Sequence, residues 1–137
     1  MKHVKILTTI LLTAGLASCV TLDKVFDDLQ AITAPTALME TPEQICQAAA
    51  QNKVAANDRY VGKRFSTTGE VRLINEGFTP SYRVLLKKGS INIHAGTENK
   101  NAVKALQVGS TTRVSGVIRH VSNDSANCSI SLKNATF

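Results

Sequence analysis

Six side chains spread between residues 72 and 119 have the chemistry to bind an anionic group together. They are Arg72, Phe78, Arg83, Lys87, His94 and Arg119. Guanidinium and ammonium groups pair with phosphate or carboxylate oxygens, an imidazole adds a hydrogen-bond donor, and a phenyl ring offers an apolar contact. The charged members alternate with apolar residues, which predicts that they project from the same side of a sheet. The alternative interpretation is an ordinary solvated exterior, because outward strand positions commonly carry charge.

The sequence carries no pattern that favours catalysis. No motif sets a base beside a nucleophile, no paired carboxylates suit glycoside hydrolysis, and no glycine-rich phosphate loop precedes a helix. His94 falls on a predicted strand, which favours a surface role, and His120 alternates with Ile118, which predicts an inward-facing, hydrogen-bonded ring. The sequence has neither closely spaced histidines nor a Cys-x-x-Cys pair, either of which would indicate a metal site. We therefore predict a protein that is not an enzyme and binds neither a cofactor nor a metal.

A different chemistry is indicated by Cys19, which ends the motif L-A-S-C after a basic start and an apolar run over residues 6–16. The arrangement resembles a bacterial lipoprotein signal. The run is shorter than the roughly 20 residues that cross a bilayer. The resemblance implies that residues 1–18 are removed and that Cys19 carries acyl chains, each buried methylene contributing about 0.8 kcal/mol to membrane binding. The alternative is an ordinary secretory signal with a coincidental cysteine.

The residues after Cys19 indicate which membrane holds the protein and how the domain is connected to it. Val20 stands where diderm lipoproteins retained in the inner membrane carry Asp, so the resemblance implies the periplasmic face of the outer membrane. A monoderm host would change this to the outer face of the plasma membrane. We predict that residues 19–40 comprise the lipidated cysteine and a tether. In the alternative interpretation, Phe26 and Leu29 dock on the domain or on a partner.

Cys46 and Cys128 remain as a pair once Cys19 is assigned to lipid. An exported protein meets an oxidising compartment, where such a pair commonly forms a disulfide bond. On the chain-entropy model, a bridge that closes so long a loop stabilises by roughly 4 to 5 kcal/mol. Two buried reduced thiols are the alternative, because free cysteines pack as small apolar side chains.

The order of predicted elements indicates how these residues are positioned. Thr41, Pro42 and Gln44 form a helix start with a capping box, and this helix is predicted to end near Asp58. Alternating segments over residues 65–73, 82–87, 91–94, 113–119 and 128–133 predict five strands, with a short helix within residues 97–107. Three strands, a helix and two strands are the order of a mainly β OB-fold, a five-stranded Greek-key barrel. We predict that it occupies residues 41–137 together with the preceding helix.

From about Thr41 to Phe137 the chain resembles the tRNA_anti-like family of small bacterial OB-fold lipoproteins. The resemblance is carried by the segments Y-V-G-K at residues 60–63, T-G-E-V at 68–71, V-S-G at 114–116 and C-S-I-S-L-K-N-A at 128–135, and by Asn52, Ala55, Ala56, Leu106 and Gly109. It implies the fold but no activity, because the family name records a shape similarity to anticodon-binding domains.

The chain has a net charge of +6, no tryptophan and few aromatic residues. We predict a non-enzymatic, lipid-anchored binding or adaptor module of the bacterial envelope, whose partner is an envelope protein, glycan or anionic lipid. Nucleic acid is excluded from this prediction, because single-strand binders need stacking aromatics and Tyr82 alternates with core residues. The alternative is a phage- or plasmid-type exclusion or inhibitor lipoprotein that blocks a receptor, DNA entry or a lytic enzyme.

Overall fold

In the computed structural model, which describes residues 35–77, 81–124 and 127–137, the first helix begins where the capping pattern predicts. Helix α1 spans Pro42–Gln51. The Gln44 N–H donates to Thr41 Oγ1 at 3.3 Å, and the Thr41 N–H donates to Gln44 Oε1 at 2.8 Å. These two bonds satisfy amides that the first turn leaves without helical partners. Among the described residues, no helix has the length and apolar character needed to cross a bilayer.

The prediction of a single helix that ends near Asp58 is wrong, because the helix is interrupted at Asn52. Asn52 is extended, with φ −158° and ψ 101°, and its Oδ1 accepts the Ala55 N–H at 3.0 Å. Helix α2, Lys53–Tyr60, begins there. Asparagine favours such breaks because its short side chain can bond nearby backbone amides in place of the helix. The kink lets α2 turn onto the barrel independently of α1.

Five strands form a closed barrel in the order β1-β2-β3-β5-β4, with β4 returning to β1. Their bounds are β1 Arg64–Glu76, β2 Tyr82–Lys88, β3 Ile91–Thr97, β4 Thr111–Asp124 and β5 Asn127–Thr136, and helix α3, Lys100–Lys104, lies between β3 and β4. The β3–β5 pair is parallel and the other pairs are antiparallel. This is the predicted OB-fold, with a helix before the barrel and a short helix after the third strand.

The core fills the barrel and the space under α1 and α2. The largest fully buried side chains include Tyr60, Phe65, Ile45, Leu86, Ile93, Ile118 and Ile130. Burial of each such side chain contributes about 1.5 to 3 kcal/mol relative to an exposed position. Asn57 holds α2 on β4, since its Oδ1 accepts the Val121 N–H at 2.9 Å while its Nδ2 donates to the Val121 carbonyl at 2.8 Å.

The predicted disulfide is present between Cys46 of α1 and Cys128 at the start of β5, with their Cα atoms 5.8 Å apart. Both residues belong to the core. The Cys46 carbonyl also accepts a hydrogen bond from Asn123 Nδ2 at 3.1 Å. The middle of α1 is therefore fixed to the adjoining ends of β4 and β5.

The last residues of the predicted tether are paired with the barrel. The Arg64 N–H donates to the Thr36 carbonyl at 2.8 Å, and the Leu38 N–H donates to the Arg64 carbonyl at 2.8 Å. These bonds form a parallel bridge between Ala37 and the first residue of β1. Cys19, the signal sequence, the sorting position Val20 and the remainder of the predicted tether to residue 34 lie outside the described residues, as does Phe78.

Candidate ligand-binding groove

The first feature that shapes the outer face of the barrel is a register shift in β1. Val71 is opposite Leu86, but Leu73 is opposite Leu85, so one residue of β1 is unpaired between them. Such a bulge reverses which residues face the core. Leu73 is consequently 47 % exposed, and Ile74 packs against the core instead. The alternation predicted over residues 65–73 would turn Leu73 inward together with Val71, and this part of the prediction is wrong because of the shift.

A second register shift, in β4, has the same effect on a histidine. Ile118 is opposite Leu132 and His120 is opposite Ser131, which leaves Arg119 as the extra residue. His120 is exposed, so the predicted inward-facing ring is wrong. The sequence held a signal for this shift. Ile118 and Val121 are both buried but stand three positions apart, a spacing that a regular strand cannot place on one face.

The two shifts align one residue from each strand across the outside of the barrel. Leu73 is opposite Leu85, Leu85 is opposite His94, and His94 is opposite Ser131, whose other neighbour is His120. We call these five residues the outer row. With strands about 4.8 Å apart, the row is about 20 Å long. It is apolar at the β1–β2 end and carries imidazoles on both sides of a hydroxyl at the other.

The outer row forms the floor of an open groove of about 920 Å³. Polar and basic side chains line the rest of it, namely Asn75, Arg83, Arg119, Ser122 and Ser129. Gly96 lies opposite Arg83, and a Cβ at Gly96 would come within 3.3 Å of the Leu132 carbonyl oxygen. The missing side chain keeps the floor open between Arg83 and β5. No Asp or Glu lines the groove among the described residues.

The predicted site residues divide between the groove and its surroundings. Arg83, His94 and Arg119 line the groove. Arg72 does not line it; this side chain is exposed and donates from Nη1 to Glu70 Oε1 at 3.1 Å. Lys87 is also outside, in the next cross-strand row between Glu70 and Asn92. Sequence reasoning missed His120 and Ser131 as members of the same surface.

The basic side chains of the groove form no ion pair with other described residues. Among the described residues, the side-chain ion pairs join Lys53 to Asp124, Arg59 to Glu40 and Arg72 to Glu70. None of them includes Arg83 or Arg119. Neither arginine nor either groove histidine makes a side-chain hydrogen bond to another described residue. The described residues also contain no cluster of three or more His, Cys, Asp or Glu side chains suited to a metal ion.

A smaller depression of about 520 Å³ adjoins the groove and shares Arg119 and His120 with it. Its other walls come from α2 and the residue that follows it, including Val54 and Val61, which are 72 % and 44 % exposed. Lys53, Asn57 and Asp58 complete it. The groove therefore continues from the β-sheet surface onto a more apolar shelf.

A solved structure of a bacterial protein shares the fold. The chain is similar to a crystal structure described as a "putative nucleic acid-binding lipoprotein" from Klebsiella pneumoniae, with a TM-score of 0.55 and 22% identity, covering 80% of this chain and 95% of that one. An asparaginyl-tRNA synthetase of Entamoeba histolytica, bound to asparaginyl-adenylate, matches with a TM-score of 0.40 and 15% identity, and covers 55% of this chain and 20% of that one. No family model and no curated protein matches the chain.

These comparisons support the class of the protein and no more. The chain is a small OB-fold barrel with a helical plug and a basic groove on its outer face. The likeness to a lipoprotein of almost the same extent agrees with the fold expected from the tRNA_anti-like resemblance. At this level of identity it does not establish membership of that family.

Proposed function

We propose that this protein is a non-enzymatic binding or adaptor module of the bacterial cell envelope, held there by a lipid on Cys19. In this proposal the groove binds an anionic part of an envelope protein, glycan or lipid. The observation that carries the proposal is a groove whose described lining has basic side chains but no carboxylate, and whose basic side chains form no ion pair with other described residues. A purely structural surface gains nothing from such an arrangement, because neighbouring like charges repel.

The proposed location is supported by the sequence before the barrel and by the fold of the neighbouring lipoprotein. L-A-S-C at residues 16–19 has the lipoprotein pattern, and the chain enters the barrel beside Arg64 at residues 36–38. In a diderm host we propose the periplasmic face of the outer membrane. Metabolic labelling with palmitate tests this part: the wild-type chain should incorporate label and Cys19→Ser should not. Labelling that survives the substitution would contradict lipidation at Cys19.

The name of the Klebsiella protein raises nucleic acid as a ligand, and the groove argues against it. No Phe, Tyr or Trp lines the described groove, whereas sequence-tolerant single-strand binding depends on aromatic stacking in a positive channel. Export also separates the protein from nucleic acid. Fluorescence anisotropy with labelled oligothymidylate tests this point. We expect no saturable binding at physiological salt, and binding lost in Arg83→Glu would overturn this exclusion.

The main experiment is recovery of partners from envelope extracts with the full chain and two charge reversals on one strand. Arg83→Glu and Lys87→Glu are matched: both residues are exposed on β2 and project from the outer face, but Arg83 lines the groove and Lys87 does not. We expect Arg83→Glu to lose the captured partner and Lys87→Glu to retain it. Equal capture by all three chains would contradict a binding role for the groove.

A further inference from the structure

The centre of the groove has a local chemistry more specific than a basic surface. Ser131 lies on β5 between His94 of β3 and His120 of β4, and it is the register neighbour of both. All three line the groove. Adjacent strands are about 4.8 Å apart, so the backbone of each histidine lies one strand spacing from that of Ser131. Three hydrogen-bonding side chains from three strands therefore line the same part of the groove.

These groups are suited to donate hydrogen bonds. A neutral imidazole carries one N–H donor and a protonated imidazole carries two, while a serine hydroxyl supplies another. Two arginines add guanidinium groups at the two margins. Arg83 lies opposite Gly96, which is two residues along β3 from His94. Arg119 is next to His120 in the sequence. Such donors in a fork or arc match the oxygens of a tetrahedral anion.

A cation is the other ligand that two histidines could hold, and the surroundings disfavour it. A transition-metal site also needs further ligands, and the described residues contain no group of three or more metal-binding side chains. Arg83 and Arg119 would repel a divalent cation. Among the described residues, the carboxylate that shares a depression with His120 is Asp58 of α2, and Lys53 lines that depression too.

We infer that the His94–Ser131–His120 centre is a binding site for a phosphate-type tetrahedral oxyanion. This inference rests on the proposed function and names the anionic group that the groove accepts. The two imidazoles and the Ser131 hydroxyl bind the oxygens, and the arginines at the margins neutralise the charge. The apolar end of the outer row, Leu73 and Leu85, contacts the uncharged part of the molecule that carries the phosphate.

The experiment measures phosphate binding by calorimetry on the full-length chain in uncharged detergent micelles, at constant ionic strength with chloride as the balancing anion. We expect saturable one-to-one binding of inorganic phosphate. Loss of hydrogen bonds to a charged group should weaken it about tenfold in His94→Phe and in His120→Phe, because a phenyl ring has no hydrogen-bond donor. Ser131→Ala should weaken binding as well, whereas Ser131→Thr, which restores a hydroxyl, should recover most of it.

Lys87→Gln is the matched control, because it removes a cation from the same outer face without touching the groove. It should change the dissociation constant less than twofold, about the level expected for a distant exposed charge. Thermal unfolding of each variant verifies folding. Absence of saturable phosphate binding in the wild-type chain would overturn the inference, as would equal weakening in Lys87→Gln. Zinc binding that is lost in His94→Phe, without phosphate binding, would do so too.

Two further arms distinguish the source of the phosphate. Micelles doped with lysophosphatidic acid present a phosphate monoester on a lipid, and micelles doped with lysophosphatidylglycerol present a diester. Tighter binding to the first than to free phosphate assigns the site to a lipid headgroup, and weaker binding assigns it to a soluble or glycan-borne phosphate. If Arg83→Glu loses the envelope partner while phosphate fails to bind, the proposed function stands and this inference does not.

Discussion

Two outer faces of the same barrel differ in whether their polar side chains form hydrogen bonds within the described part of the chain. The groove face carries the outer row and the two arginines, whose side chains make no hydrogen bond or ion pair with other described residues. The opposite face, where the first half of β1 pairs with the first half of β4, carries Ser66, Thr68, Arg113 and Ser115. There the Arg113 Nε–H donates to Ser66 Oγ at 3.2 Å, and the Ser66 hydroxyl donates to the Val114 carbonyl at 3.3 Å.

The contrast separates polar groups that support the fold from polar groups left for a partner. Arg113 and Ser66 link two paired strands, so their interaction is complete within the chain. Arg83 has no such role, although it is equally exposed on a strand. Arg83 has Gly96, which offers no side chain, on one side and Asn75, to which it makes no side-chain hydrogen bond, on the other, whereas Ser66 accepts a hydrogen bond from Arg113.

The largest expected effect concerns the disulfide that fixes β5, the strand of the groove face that carries Ser131. Replacing Cys46 and Cys128 by Ser should lower the free energy of unfolding by about 4 kcal/mol. Because Cys128 begins β5, hydrogen exchange should accelerate most in β5 and least where β1 pairs with the start of β4. Denaturant unfolding and residue-resolved exchange measure the two effects. Uniform acceleration across both faces would contradict a local role for the bridge.

Two glycines on the strands that flank β5, Gly96 on β3 and Gly116 on β4, give the next effect. A Cβ at Gly116 would come within 3.0 Å of the Lys133 carbonyl oxygen and 3.1 Å of Leu132 Cβ, whereas one at Gly96 would meet only the Leu132 carbonyl oxygen, at 3.3 Å. Gly116→Ala should therefore destabilise by about 1 to 3 kcal/mol, the usual cost of overpacking. Gly96→Ala should cost less and instead weaken ligand binding by filling the groove floor. Thermal unfolding, with partner capture for Gly96→Ala, checks both.

Removal of one arginine from each face gives a smaller and more direct comparison. Arg113→Ala should lower stability by about 0.5 to 1 kcal/mol, because it removes a hydrogen bond between paired strands. Arg83→Ala should leave stability unchanged or raise it slightly, since it reduces repulsion within the groove. Urea unfolding of both variants measures the difference. A loss in Arg83→Ala as large as that in Arg113→Ala would mean that the groove cations are structural.

The smallest effect is a pH dependence that lies outside the groove. The pKa of the Glu40 carboxyl is held below its ordinary value. The cause is a hydrogen bond from the backbone N–H of Glu40, together with the hydrogen bond and the charge of Arg59. A carboxylate with a lowered folded-state pKa stabilises above the unfolded value of about 4.3 and loses that contribution as the pH falls further. Stability should thus decline on acidification below this range, and less so in Glu40→Gln. Identical acid dependence in both chains would contradict this assignment.

Much of the fold could be predicted because its signals are local. The capping residues at Thr41 and Gln44 and the alternation of five segments predicted the helix start and the strand order. The disulfide between Cys46 and Cys128 was predicted from residue type and the expected export, with two reduced thiols as the alternative, and it is present in the structure. The break at Asn52 was missed, because the same residue type is compatible with a helix interior until tertiary contacts hold α2 against β4.

The candidate site was predicted only in part, because a strand bulge changes which residues share a face. Alternation correctly directed Arg83 and His94 outward, but it directed His120 inward and Leu73 into the core. Each error follows from one unpaired residue, which reverses the pattern beyond it. The convergence of His94 and His120 on Ser131 also depends on strands that are distant in sequence, so no local pattern could indicate it.

The most direct test of the account is photo-crosslinking in living cells from one position on each face. A photoreactive residue at Leu85 reports on the groove, and one at Thr68 reports on the opposite face. We expect Leu85 to capture an envelope component that disappears when Arg83→Glu is introduced, and Thr68 to capture none. Capture from Thr68 alone, or capture from Leu85 that persists in Arg83→Glu, would contradict the assignment of binding to the groove.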